Sequence, residues 1–151
     1  MKLGTAGRTV TMGFIGHGHR GVGQLKTLLS MPDVQINAVC DVYEDRAQAA
    51  ADSVKEARGY EPFCTTDYRE VLKREDIEAV VIASANDRHF EQMKWCAEKG
   101  IHILSMKIPS FDMKEYDEMI ALCDKAGIVC QIELEMHYNS VVRRLEKLVK
   151  E

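Results

Sequence analysis

No run of apolar residues in this chain approaches the ~20 that a helix needs to cross a bilayer, so a membrane span is not expected. Positive charge is not in excess either. The formal net charge is -4, which argues against a general nucleic-acid-binding surface. Residues 1–10 hold two basic side chains but no apolar stretch ahead of a small-residue cleavage site, and no secretory leader is read there. The cysteines lack a pattern. Cys40, Cys64, Cys96, Cys123 and Cys130 are an odd number without C-x-x-C spacing. Reduced thiols in a cytoplasmic protein are expected, with a disulfide framework or zinc site as the lesser alternative. His17, His19, His89, His102 and His137 also miss metal-ligand spacing, so no metal is expected. Internal repeats and low-complexity tracts are missing as well.

What fills the 151 residues is a regular alternation of short apolar runs with amphipathic stretches, enough chain for one domain. Strands are expected at Val10–Ile15, Val34–Cys40, Pro62–Cys64, Glu78–Ala83, Ile101–Leu104 and Ile128–Ile132. Between them the spacing predicts helices over Arg20–Ser30, Glu44–Arg58, a turn capped by Asp67 and running to Leu72, Arg88–Lys99, and a segment capped by Asp112 and running to Ala126. Asp67 with Glu70, and Asp112 with Glu115, have the spacing of capping boxes. Gly59, Gly100 and Gly127 close three of the helices. Strands alternating with helices imply a parallel sheet covered on both faces. A doubly wound Rossmann α/β fold of six strands, in the order 3-2-1-4-5-6, is expected. The terminal stretch Ser140–Glu151 is helical in period, with Val141, Val142, Leu145, Leu148 and Val149 on one face. Its Arg143, Arg144, Lys147 and Lys150 read as a solvated side.

The chemistry concentrates at the end of the first strand. Gly16-His17-Gly18-His19-Arg20-Gly21 satisfies G-x-G-x-x-G, follows an apolar strand and opens a helix. An acidic residue, Asp41, stands twenty positions after Gly21 at the end of the second strand. That context makes a dinucleotide-binding loop of a pattern that is weak alone. Gly16 would allow the tight turn, Gly18 the approach of a pyrophosphate to bare backbone, and Gly21 close packing of helix on strand. The unpaired N–H groups of the helix's first turn would face the phosphates. Arg20 would either contact a phosphate or lie on the adenine side. Asp41 would accept hydrogen bonds from the ribose hydroxyls of NAD and repel the 2′-phosphate of NADP, so NAD is the expected cofactor. It also has the position of an N-cap for the next helix, and both roles are compatible. Arg46 reads as a surface residue.

With these residues in view, the chain resembles the Gfo/Idh/MocA oxidoreductases. The likeness lies in GFIGHGHRG at 13–21, AVCDVYEDRA at 38–47 and the long stretch from Thr65 to Lys107. The resemblance implies that Ser84, Ala85 and Asn86 line the nicotinamide side of a cleft, with His89 and Met106 beside it. It implies that Lys107 is a catalytic or substrate-orienting cation, because an ammonium there can hydrogen-bond a substrate hydroxyl and stabilise developing charge. Met106 and Ile108 stand where the family has glutamate and proline, and a methionine cannot replace a carboxylate as an acceptor. Glu133 and Glu135 fall in a segment that the family uses at the cleft, with a solvated loop as the equal alternative. Family enzymes continue into an α+β substrate domain that is absent from these residues, so residues 1–151 are expected to be the NAD-binding domain alone. The implied activity of the complete enzyme is hydride transfer between nicotinamide and a small-molecule substrate, a sugar, polyol or related hydroxyl compound. A homo-oligomer is expected. The alternative is a stand-alone NAD(H)-binding sensor or scaffold without catalysis.

Overall fold

A computed structural model of the chain describes residues 7–150. The reading of residues 1–10 as leaderless therefore falls mostly outside the described residues, as does Glu151. The strands are β1 (Val10–Ile15), β2 (Val34–Cys40), β3 (Phe63–Thr65), β4 (Ala79–Ile82), β5 (His102–Ser105) and β6 (Cys130–Ile132). The helices are α1 (His19–Leu29), α2 (Glu44–Arg58), α3 (Tyr68–Leu72), α4 (His89–Lys99), α5 (Met113–Ala126) and α6 (Ser140–Lys150). All strand pairs are parallel, in the order β3-β2-β1-β4-β5-β6, as the alternation of elements implied.

Successive residues of a strand point to opposite faces, and this divides the core in two. Phe14 and Val81 join Leu25 and Leu28 of α1 and Val54 of α2 on one side. Ile15 and Ile82 join Val71 of α3, Met93 and Cys96 of α4, and Met119 of α5 on the other. Val80, Val81 and Ile82 are all fully buried, which is why the fourth strand reads as one unbroken β-branched run. Each contributes about 1.5–3 kcal/mol through burial. Val22, part of the same helical pattern as Leu25, stays half exposed on α1.

β3 and β4 begin one residue later than expected, at Phe63 and Ala79, and the later starts of β5 and β6 share one reason. Gly100 and Gly127 adopt left-handed conformations after α4 and α5. The next amides fold back onto the helices, Ile101 N–H to the Cys96 carbonyl at 3.0 Å and Ile128 N–H to the Cys123 carbonyl at 3.2 Å. An amide used in that way is lost to the ladder. β5 and β6 therefore begin after Ile101 and Ile128.

The caps are also built differently from a capping box. Asp67 and Asp112 do cap α3 and α5, accepting from the N–H groups of Arg69 and Lys114. Glu70 and Glu115 do not reach back to the cap backbone. Instead Thr65 and Ser110 hydroxyls accept from the Asp67 and Asp112 N–H groups and donate to Glu70 and Glu115. The hydroxyl lies two residues before the cap and relays what the carboxylate would have done directly. Among the described residues, no helix is long and apolar enough to cross a membrane.

Candidate functional site

The sheet's order reverses between β1 and β4, and a crevice opens at the carboxyl ends of the strands on either side. Gly16 makes the turn out of β1 with φ +96°, and a Cβ there would meet the Ala83 and Ser84 backbone at 2.5 Å. Gly21 lies so close beneath that a Cβ on it would be 2.0 Å from the Gly16 carbonyl oxygen. A side chain at either position would push α1 away from the sheet. Gly18 is the N-cap of α1, it makes no side-chain cap, and nothing stands within 4 Å of where its Cβ would be. No acidic residue occupies the first turn of α1. Open space, bare backbone and orphan N–H groups at a helix start suit an anion such as a pyrophosphate.

Asp41 is buried beside that loop. One carboxylate oxygen accepts from the His17 N–H at 2.7 Å and the other from the Tyr43 N–H at 3.0 Å. The acidic residue thus holds the glycine loop to the end of β2, and each oxygen keeps a lone pair for a ligand. Tyr43, not Asp41, is the N-cap residue of α2. The His17 ring is buried too, and burial pushes its pKa below the ordinary value against the opposing effects of the Arg46 backbone and Asp41. His17 therefore adds no positive charge to the loop at neutral pH.

The crevice encloses about 540 Å³. It brings together Gly16, Gly18, His19, Arg20, Asp41, Ser84 and Ala85 of the expected site residues. Arg46, expected on the surface, is exposed and also lines the crevice, with its guanidinium 4.6 Å from the centre of the Tyr43 ring. Thr66 and Tyr68, after β3, line it as well. Sequence reasoning missed them, although their position just past a strand's carboxyl end was the available signal. On the far side Ser84 donates to the Gln92 side chain at 2.6 Å.

The remaining expected residues stand elsewhere. Asn86 opens a short exposed turn, Asn86–Arg88, ahead of α4. His89 is fully buried, its ring nitrogens 3.0 Å from the Ser84 carbonyl and 2.8 Å from the Ile108 carbonyl. It clamps the loop after β4 to the loop after β5. Met106 is buried, and its N–H donates to the Ile82 carbonyl at 2.9 Å. Lys107 projects from the end of β5 with its ammonium 2.5 Å from Glu135. Glu135 also lies 3.2 Å from Arg20, whose side chain faces carboxylates while it lines the crevice. His102 accepts from the Val129 N–H at 2.9 Å, a satisfied histidine at the start of β5.

Comparison with known proteins fits this geometry. The family described as oxidoreductase family, NAD-binding Rossmann fold (Gfo/Idh/MocA) matches residues 10–134. The chain belongs to this family. It is an NAD(P)-binding domain of the Gfo/Idh/MocA oxidoreductases, and its sheet order is the one that the alternation of strands and helices implied. It is 27% identical over 143 residues to the uncharacterized oxidoreductase YrbE of Bacillus subtilis, covering 95% of this chain and 40% of that protein. It is 35% identical over 99 residues to a glycosyl hydrolase family 109 protein of Streptomyces niveus, covering 63% of this chain and 20% of that one. Among solved structures, KijD10, a 3-ketoreductase from Actinomadura kijaniata in complex with NADP, superposes with TM-score 0.82 at 21% identity, over 95% of this chain and 44% of that chain. The myo-inositol 2-dehydrogenase from Lactobacillus plantarum superposes with TM-score 0.84 at 21% identity, over 95% and 41%. The chain thus spans less than half the length of these relatives.

Proposed function

We propose that the chain is the cofactor half of an oxidoreductase that prefers NAD(H) and acts on a hydroxyl carbon of a sugar, polyol or related compound. One observation carries the reading: the uncapped first turn of α1, opened by Gly18, shares a crevice with the Asp41 carboxylate. Bound there, the dinucleotide would supply a hydride donor or acceptor. The first turn of α1 would hold its pyrophosphate and Asp41 its adenosine ribose. Ser84 and Ala85 would line the nicotinamide side, and Lys107 would hold a proton at Nζ for the substrate oxygen.

Asp41 supports NAD over NADP, since a fixed carboxylate repels a 2′-phosphate. Arg46, which lines the same crevice, is the group that NADP would use, and the structural neighbour KijD10 binds NADP. Calorimetric titration with NADH and NADPH tests the choice. Tighter binding of NADH is expected, and equal affinities or an absence of binding would overturn it. The 3-ketoreductase and inositol dehydrogenase among the structural neighbours support a sugar or polyol substrate.

The uncovered apolar stripe of α6 supports a homo-oligomer, and the free thiols suit a cytoplasmic setting. The same stripe favours a second reading, an NAD(H)-binding scaffold that assembles without catalysis. NADH binding and assembly, with no turnover of any sugar or polyol even when the chain is joined to an α+β substrate domain, would select it.

A further inference from the structure

We infer that Glu135 is a positioning residue, which holds the Lys107 ammonium and couples it to Arg20, a crevice-lining residue on the first turn of α1. The inference rests on the reading of Lys107 given above and adds the group that places it. A lysine ammonium is a point charge on a flexible four-carbon stem, so its position must come from a partner. Its chain neighbour Met106 is buried and offers no carboxylate. Glu135 comes from a different segment, the short turn Glu135–Tyr138 after β6. One of its oxygens takes both cations, Lys107 at 2.5 Å and Arg20 at 3.2 Å.

The segment that carries Glu135 is itself anchored. The Glu133 N–H donates to the Ser105 carbonyl at 2.8 Å, which extends the register of β6 along β5. The Glu133 carboxylate accepts from the Gln24 side chain and lies 3.6 Å from Arg20. The glycine-loop helix, the end of β5 and the chain after β6 are thereby joined through two carboxylates and two cations. The Lys107 hydrogen bond, reinforced by a backbone hydrogen bond, holds the Glu135 carboxyl below the usual carboxylate range. The carboxylate is therefore ionised at neutral pH, where the pairing operates.

Acetylation of the intact chain by an N-hydroxysuccinimide ester, read lysine by lysine in a mass spectrometer, tests this. An ammonium held by a carboxylate is less available as the free amine that the ester acylates. Glu135→Gln is expected to raise labelling of Lys107 by up to about fivefold, the factor a half-exposed ion pair carries. Glu135→Asp should restore part of the protection. Glu146→Gln, which loosens the Lys150 pair on α6, should leave Lys107 unchanged. No rise at Lys107, or a rise spread over the other lysines, would overturn the inference. A separate arm adds NADH to the unmodified protein. Shielding of Lys107 there supports its place beside the nicotinamide. Absence of shielding, with the Glu135→Gln effect intact, sinks that reading and leaves the pairing standing.

Discussion

At the scale of single residues, the glycine loop works through distances of two to three ångströms. Because a Cβ on Gly21 would sit 2.0 Å from the Gly16 carbonyl oxygen, Gly21→Ala must separate α1 from β1. Overpacking of this kind costs about 1–3 kcal/mol, to be read in a denaturant titration, and NADH binding should weaken with it. Asp41 does two jobs at once. Asp41→Ala leaves the N–H groups of His17 and Tyr43 without their acceptor, and hydrogen bonds to a charged group are worth about 1.5–3 kcal/mol each. The expected outcome is a lower melting temperature together with a narrowed preference for NADH over NADPH in calorimetry. An unchanged melting temperature would show that the carboxylate serves the ligand alone. The spacing of Gly16, Gly18, Gly21 and Asp41 was legible in the sequence because each has a steric or charge requirement tied to a fixed offset. That Asp41 already holds the loop backbone was not legible, since the contact spans 24 positions.

At the scale of elements, helix ends settle where strands begin. The left-handed glycines after α4 and α5 each commit the following amide to the helix, which delays β5 and β6. Periodicity alone counts Ile101 and Ile128 as strand residues because both are apolar and β-branched. The hydroxyl relay ahead of α3 and α5 was hidden for a similar reason: Asp-x-x-Glu fits a capping box whether or not a Ser or Thr intervenes. Ser110 is buried, so Ser110→Ala strands the Asp112 N–H and the Glu115 carboxylate together. A loss of about 1 kcal/mol, the usual worth of a cap, is expected in thermal unfolding. A loss near zero would show that Glu115 takes over the cap N–H directly.

At the scale of the whole molecule, two half-cores pack on either side of one sheet while no residue of α6 is fully buried. Val141, Leu145, Leu148 and Val149 are each more than half exposed on that helix. Apolar stripes of this kind mark association sites. Leu145→Lys should therefore lower the association constant in sedimentation equilibrium and leave the melting temperature of the folded domain nearly unchanged. A species that is monomeric at high concentration before mutation would remove the basis for the stripe's role.

The sequence by itself determined the layered parallel sheet, its order and the glycine loop, because hydrophobic period, helix stops and a glycine's missing Cβ act over a few neighbouring residues. Only the tertiary structure decided that Arg46 reaches the crevice, that His89 clamps two loops, and that Glu135 meets Lys107 and Arg20. These are encounters between groups distant in the chain or turned toward a shared cavity, with His89 and the Ile108 carbonyl 19 positions apart and Arg20 and Glu135 115. Chain closure over such spans is set by how the sheet brings strand ends together, and no local pattern records it.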